Sequence, residues 1–364
     1  MNLFLIIPTY HPTPQLLTVV QSAKEKGFKH ILVVDDGNPA HDQHYFREVK
    51  NLGCVVLHHP YNQGKGAALK TAFRYLQTVP QSLDGVITMD ADGQHRMEDV
   101  LNIQAAMIQH PTSLILGSRT FAKKTIPWRS RFGNQVTQLV FSLLSGVRVS
   151  DTQTGLRGIP WTFIPSLLKI PYQRYEYEMM MLMLATQKKV LIHEVKIATI
   201  YHQDHAVSSF KPLQDSMRIY LALLKQPLRF LFVAITSFIF DVILFHFLSL
   251  TLSSVTWYPI VIATVLARFT SGIYNYSMNR WFTFASHKTF QQSFPLYGVL
   301  FLVIMGLSAF TVQLLTLVLP FTPWMIKIGV DMMLFIFSFF IQKRWVFSYE
   351  NSLVIVSSFI YHFP

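Results

Sequence analysis

Two aspartates one residue apart, Asp90 and Asp92, stand directly after the apolar run Val86 to Met89, with Ala91 between them and Gln94 close behind. Carboxylates are hard oxygen donors, and two of them on a turn with a carbonyl nearby suit Mg²⁺ or Mn²⁺ that completes its coordination on a diphosphate. An Asp-x-Asp pattern alone is common on protein surfaces. It gains weight here because Asp35 and Asp36 follow an earlier apolar run, Ile31 to Val34. Gly64-Lys65-Gly66 lacks the spacing of a Walker loop and reads either as the start of a helix, Ala67 to Leu76, or as a simple turn. His202, Asp204 and His205 have no established metal-ligand spacing and read as a polar loop. The one cysteine, Cys54, lies in an apolar stretch, so disulfide frameworks and CxxC metal sites are excluded and a buried free thiol is expected.

Residues of this kind need a frame. Apolar runs of strand length recur at Leu3 to Ile7, Ile31 to Val34, Cys54 to Leu57, Val86 to Met89 and Leu114 to Leu116, with helical stretches between them. That alternation implies an α/β domain, a mainly parallel sheet covered by helices on both faces. Ligands bind such sheets at the C-terminal ends of the strands. The residues that follow the runs are Pro8-Thr9-Tyr10, Asp35-Asp36-Gly37, His58 to Gly66, Asp90 to His95, and Gly117-Ser118-Arg119. Carboxylates, glycines and an arginine are thus gathered on one edge, for which stability gives no reason.

The rest of the chain is of another kind. Of 364 residues, the last 137, from Leu228 onward, hold seven Lys or Arg and three Asp or Glu. Four apolar stretches, Leu228 to Leu250, Tyr258 to Tyr276, Phe294 to Leu319 and Pro323 to Ile341, each approach the ~20 residues that cross ~30 Å of hydrocarbon. Lys225, Arg229, Arg280, Lys288, Lys343 and Arg344 mark alternate ends, which the positive-inside rule places in the cytosol, so four spans keep both termini there. The net charge of +12 then reflects a membrane protein rather than a nucleic-acid binder. The start of the chain lacks the basic flank and length of a signal peptide, and a cytosolic first domain is expected. Asp241 with Arg268, and Lys327 with Asp331, are costly in lipid and are expected to pair, as structural ion pairs or as a polar path for a lipid headgroup. Between the halves, Lys211 to Gln226 sets Leu213, Met217, Tyr220, Leu221 and Leu224 at helical spacing, which suits a helix lying along the bilayer or a core helix of the first domain. The boundaries expected are residues 1–210, 211–227, 228–348 and a tail, 349–364.

The ordered motifs Pro8-Thr9-Tyr10, Asp35-Asp36-Gly37, Asn62-x-Gly64-x-Gly66, Asp90-x-Asp92-Gly93-Gln94, Gly117-Ser118-Arg119 and Asp151-Thr152-Gln153-Thr154-Gly155-Leu156-Arg157 resemble family 2 glycosyltransferases of GT-A (Rossmann-like) fold, closest to the polyprenyl-phosphate, or dolichyl-phosphate type, sugar transferases. Asn279-Arg280-Trp281-Phe282-Thr283-Phe284 and Lys343-Arg344-Trp345-Val346-Phe347 resemble the endings of GtrA-like four-span proteins, and their likeness to each other suggests two related hairpins. The resemblance implies an all-α transmembrane domain of four helices in the cell membrane. It also implies metal held by Asp90, Asp92 and Gln94, a base walled by Pro8 and Tyr10 and contacted by Asp36, and Asp90, Ala91, Asp92 and Lys211 around the nucleotide sugar. Lys211 lies in a segment that resembles the family's donor-covering loop. His11-Pro12 replaces the Asn-Glu that often follows Pro-Thr-Tyr in that family, a departure in the donor site.

A lipid phosphate, with a second pKa near ~6, is already an anion at neutral pH and needs gathering rather than deprotonation. Arg119, Arg129 and Arg131 are candidates to grip it, with Asp92, Arg119 and Arg131 as the catalytic set. Thr154, Gly155 and Arg157 are expected near the sugar, with Arg157 either bracing that loop or touching phosphate. Glu176 and Glu178 are expected to orient hydroxyls rather than to take a proton. The activity implied is inverting transfer of a hexose, from UDP-glucose or else GDP-mannose, to polyprenyl (undecaprenyl) phosphate. The partners implied are a nucleotide sugar, that lipid and the membrane, with no nucleic acid and with a homo-oligomer left open. The rival reading is a lipid-sugar flippase or presenting scaffold with weak or lost transferase activity. A processive synthase is disfavoured because Gln342-Lys343-Arg344-Trp345 is misspaced and misplaced for its Q-x-x-R-W motif.

Overall fold

The computed structural model describes residues 1–80, 82–119, 128–198, 212–252 and 259–347, with the backbone alone at 128–134, 212–213, 259 and 323–324. The chain forms two compact units, Met1–Leu223 and Leu224–Pro364.

In the first unit the elements run β1 Leu3–Thr9, α1 Gln15–Glu25, β2 Ile31–Asp35, α2 Gln43–Asn51, β3 Val55–His58, α3 Lys65–Gln77, β4 Gly85–Thr88, α4 Met97–Gln109, β5 Leu114–Arg119, α5 Trp128–Ser145, β6 Arg157–Pro160, α6 Ile164–Leu167, α7 Glu176–Gln187 and β7 Ile192–Ile197, after which α8 Pro212–Leu252 begins. The sheet order is β3-β2-β1-β4-β6-β5-β7. All neighbours are parallel except β6, which runs antiparallel between β4 and β5. Side chains alternate across a strand, so the continuous apolar runs feed two cores. Phe4, Ile6, Leu32 and Val34 pack with Phe73 and Leu76 of α3 and Leu182 of α7. Leu3, Leu5, Ile7 and Val33 pack on the other face with Leu16 and Val20 of α1 and Val100 and Ile103 of α4. The register sets Thr9 beside Asp35 and Asp35 beside His58, so the loops leaving β1, β2 and β3 emerge level at one edge. Cys54 is buried and free, as expected.

Residues 212–227, read as a helix along the bilayer or a core helix of the first domain, are the first turns of α8. Helix α8 continues unbroken through Pro227. Its first turns bury Ile219 and Leu223 in the core under α3 and α7, while Met217 and Leu221 of the expected apolar face stay exposed.

In the second unit α8 is followed by α9 Pro259–Met278, α10 Phe290–Val318 and α11 Pro323–Ile341. The two similar endings adopt the same form, a π-helical turn at Asn279–Thr283 after α9 and at Gln342–Val346 after α11. Among the described residues, three helical segments, Gln214–Leu252, Phe290–Val318 and Met325–Val346, are long and apolar enough to cross a membrane. Large apolar side chains such as Phe238, Phe269, Phe310 and Leu317 point outward, a surface suited to lipid and not to water. Helix α9 has 20 residues, and two of its polar side chains are met by neighbouring helices. Ser271 donates to Asp241 at 2.9 Å, Asn275 to Ser237 at 2.9 Å, and Tyr297 to Asn275 at 2.8 Å. Both expected ion pairs form: Arg268 Nε lies 3.6 Å from Asp241 Oδ2, and Lys327 Nζ 2.8 Å from Asp331 Oδ2.

Candidate active site

Strand β4 ends at Thr88, and the turn that follows carries Asp90 and Asp92 in two different electrostatic settings. Lys65 opens α3 and reaches under this turn, its Nζ 2.6 Å from Asp90 Oδ1 and 2.9 Å from Glu178 Oε1 of α7. His95 Nε2 stands 3.5 Å from the other Asp90 oxygen. Burial alone would raise the Asp90 pKa, but the Lys65 ammonium and then His95 hold it far below the usual carboxylate range. Burial likewise opposes the charge on Lys65, and Asp90 and Glu178 together overcome it, so the lysine stays protonated. This bridge ties the β4 turn to α3 and α7.

Asp92 has no such partner. Its Oδ1 accepts the Gln94 backbone N–H at 3.0 Å, and among the described residues it makes no ion pair. Burial and then the neighbouring Asp90 charge push its pKa up, against that hydrogen bond and the nearby charges of His95 and Lys65. An anion in this position is stabilised by an added cation. Among the described residues no three His, Cys, Asp or Glu side chains cluster as a protein-only metal cage. The donor set therefore fits a Mg²⁺ or Mn²⁺ held through one carboxylate and completed by substrate phosphates, and not a closed site. Of the expected trio of Asp90, Asp92 and Gln94, Asp90 is engaged by Lys65, and Gln94 is exposed and donates its backbone N–H to Asp92.

The loop from Asp151 to Arg157 packs against the same turn. A Cβ at Gly155 would lie 2.3 Å from Asp90 Oδ2 and 2.7 Å from its Cγ, so only glycine fits. Gly155→Ala is expected to push Asp90 off Lys65, costing about 1–3 kcal/mol of stability and about 10²-fold in turnover. Thermal unfolding and initial rates check this; normal rates would show that Asp90 tolerates displacement.

Several expected contacts turn inward. Asp36 is buried and its carboxylate accepts from His59 Nδ1 at 2.7 Å, Asn62 Nδ2 at 3.0 Å, Gln63 N at 2.9 Å and Gly64 N at 2.8 Å. These contacts brace the loop before α3. Arg119 is drawn onto buried Asp151 by a fork, Nε to Oδ2 at 2.6 Å and Nη2 to Oδ1 at 3.1 Å, which takes up the geometry it would offer a phosphate. Arg157 is fully buried and donates to the carbonyls of Thr154 at 2.9 Å and Glu178 at 2.7 Å. Of its two expected roles it therefore has the bracing one. Thr154 is buried at the turn of that loop, accepting Leu156 N. Glu178 is committed to Lys65, and buried Glu176 accepts Arg174 N at 3.4 Å. Pro8 and Ala91 are half-buried, and Tyr10 is exposed, its ring 4.0 Å from that of His11. Lys211, the His202/Asp204/His205 loop and the side chains of Arg129 and Arg131 lie outside the described residues.

Sequence reasoning missed Lys65, His95, Asp151 as the partner of Arg119, and His59. The signal for Lys65 was present, a charged residue between two glycines entering an apolar helix. His59 joins Asp36 to Thr71, with Nε2 2.9 Å from the Thr71 hydroxyl. That contact is readable only once β3 and α3 are placed side by side.

The glycosyl transferase family 2 model matches residues 4–153, and the GtrA/DPMS transmembrane domain model matches residues 216–347. An uncharacterized protein of Methanocaldococcus jannaschii is 29% identical over 204 residues, covering 55% of this chain and 82% of that protein. A UDP-N-acetylglucosamine–dolichyl-phosphate N-acetylglucosaminyltransferase of Methanococcus voltae is 28% identical over 221 residues, covering 55% and 86%. A polyprenol monophosphomannose synthase of Mycolicibacterium smegmatis is 29% identical over 159 residues, covering 42% and 59%. A solved glucosyl-3-phosphoglycerate synthase of Mycobacterium tuberculosis overlays with a TM-score of 0.47 at 16% identity, covering 62% of this chain and 78% of that one. With one family model over the sheet unit and the other over the membrane helices, the chain carries a glycosyl transferase family 2 domain followed by a GtrA/DPMS transmembrane domain.

Proposed function

We propose that this protein transfers a hexose from a nucleotide sugar to a polyprenyl phosphate at the cytosolic face of the cell membrane, with inversion at the anomeric carbon and with a divalent cation. The observation that carries this reading is the carboxylate of Asp92, which makes no ion pair among the described residues, beside Asp90 and Glu178, which share the single ammonium of Lys65. Mg²⁺ or Mn²⁺ held by Asp92 would neutralise the charge that grows on a departing nucleoside diphosphate. Lys65 keeps the turn in place and keeps Asp90 from repelling the diphosphate. Glu178 is engaged by Lys65 and not free to approach an acceptor hydroxyl, which favours an acceptor that needs no proton removed, such as a lipid phosphate. The curated relatives act on dolichyl phosphate and produce polyprenol monophosphomannose by name, and a membrane domain in the same chain suits a lipid acceptor.

Tyr10 and Pro8, at the end of β1, are proposed to wall the base, and Arg129 and Arg131 at the start of α5 to hold the acceptor phosphate. Arg131→Ala is then expected to weaken use of polyprenyl phosphate more than donor binding; equal losses in both would reassign it. Helix α9 is proposed as a fourth span, shielded by its hydrogen bonds to α8 and α10, which keeps the basic ends of the helices on the cytosolic side. We favour UDP-glucose over GDP-mannose as donor. The experiment is to incubate membranes holding the full chain with undecaprenyl phosphate and labelled UDP-glucose, UDP-N-acetylglucosamine or GDP-mannose, and to follow label into the lipid phase. One donor is expected to dominate; no label in lipid from any of a broader panel would refute lipid transfer.

A further inference from the structure

Asn38, in the loop between β2 and α2, has both ends of its side-chain amide engaged by protein, and what it holds is the end of β1. Its Nδ2 donates to the Thr9 carbonyl at 3.1 Å and to Asp35 Oδ1 at 2.7 Å, and its Oδ1 accepts the His11 N–H at 2.6 Å. The Thr9 carbonyl also accepts the Asp36 N–H at 2.9 Å. Asn38 is itself fixed through its backbone. Its N–H donates to Asp35 Oδ1 at 2.9 Å, and its carbonyl accepts Gln43 Nε2 at 3.2 Å. Asp35 anchors this bracket. Burial alone would raise its pKa, yet hydrogen bonds from Gln43, Asn38 and His58 hold it below the usual carboxylate range, so it serves as an ionised acceptor.

The segment held in this way does not adopt its form by default. His11 has φ +54°, a left-handed backbone that is uncommon outside glycine and persists where the surroundings impose it. The turn lays its ring 4.0 Å from that of Tyr10, at an interplanar angle of 49°. Tyr10 is exposed, so burial does little to fix its ring. Its placement depends on the backbone on either side, and Thr9 and His11 are the two residues that Asn38 holds. We propose that Asn38 is a positioning residue for the donor: by clamping Thr9 and His11 it presets the Tyr10 ring for a stacked base, so that recognition of the base, and not the hold on the diphosphate, depends on it. This rests on the reading of Tyr10 as a wall for the base. A ring set in place before binding loses less freedom when the base arrives.

The test is equilibrium binding of UDP, GDP and pyrophosphate to the full chain in detergent micelles with Mn²⁺, followed by calorimetry. Wild type is expected to bind one of the nucleotides more tightly than pyrophosphate, and that nucleotide is then used with the variants. Tyr10→Ala is expected to weaken it about tenfold, as for loss of a stacking ring. Asn38→Ala keeps the backbone hydrogen bonds to Asp35 and Gln43, and is also expected to weaken it about tenfold. Pyrophosphate affinity should be unchanged in both. Because Asn38 acts through Tyr10, the double variant should bind no more weakly than Tyr10→Ala alone, whereas independent contacts would multiply to about a hundredfold. Equal losses for nucleotide and pyrophosphate in Asn38→Ala would make its role merely structural, and multiplying losses would make it a direct ligand; either overturns the proposal. Unchanged nucleotide binding in Asn38→Ala, with the loss in Tyr10→Ala present, would overturn it and leave the base wall standing. Unchanged binding in Tyr10→Ala, or a wild type that prefers neither nucleotide to pyrophosphate, would remove the base wall and the proposal together.

Discussion

Asp92→Asn is expected to lower sugar transfer by about 10³-fold or more, because the substitution removes a site carboxylate that makes no ion pair among the described residues and with it the hold on the cation. The asparagine side chain keeps the shape and still accepts the Gln94 N–H, so the fold should survive. It should even gain slightly. Burial and Asp90 raise the Asp92 pKa, so the ionised form costs the native state free energy, a cost relieved by protonation as pH falls. The variant lacks that cost at any pH. Unfolding of the full chain at neutral pH should therefore occur at an equal or higher temperature than in wild type. Turnover near the wild-type level would remove Asp92 from the mechanism, whereas low turnover with a collapsed unfolding transition would make its role structural.

Lys65→Met carries the largest expected effect on stability. It leaves Asp90 and Glu178 without the ammonium group that bridges them, and breaking a buried pair in this way costs about 3–5 kcal/mol. For a unit of this size that is about 6–20 °C in unfolding temperature. The pH dependence has a definite sign. Asp90, held low, contributes stability that is present above its unfolded pKa of ~3.9 and is lost as pH falls below it. Lys65, held high, contributes stability that is present below its unfolded pKa of ~10.4 and is lost as pH rises toward its folded value. The gap between wild type and variant should thus be widest between about pH 5 and pH 9 and close at the acid end. Adding Glu178→Gln should recover part of the loss by removing one stranded charge. A gap that is flat from acid to neutral pH would show that packing, and not charge, accounts for the loss.

Strands β1, β2, β4 and β5 were legible because both of their faces are buried and leave continuous apolar runs. Strand β6 was not. Its four residues, Arg157 to Pro160, begin with a charge and end with a proline. Strand β7 sits at the sheet edge and alternates polar residues, His193, Glu194 and Lys196, among its apolar ones, so no run marks it. Pro227 reads as a helix boundary, yet α8 passes through it at the loss of one N–H donor. The location of the site was readable from which residues follow the strands, but the direction of each side chain was not. Asp36 and Asp92 look alike in sequence, and one accepts from four protein donors while the other accepts from the Gln94 N–H and makes no ion pair among the described residues. Arg119 likewise reads as a phosphate ligand, and Arg157 as either a brace or a phosphate ligand, until Asp151 and the carbonyls of Thr154 and Glu178 are found around them. Partner identity depends on contacts far apart in the chain, and one sequence does not display them.

The most direct measurement compares two acceptors of one chain length, polyprenyl phosphate and the unphosphorylated polyprenol, with the full chain, the preferred labelled donor, and Mg²⁺ or Mn²⁺ either supplied or removed by chelation. Label is expected in the lipid phase with the phosphate alone and only while the cation is present, returning when it is restored. Transfer that persists in chelator, or that serves the polyprenol equally well, would contradict the account.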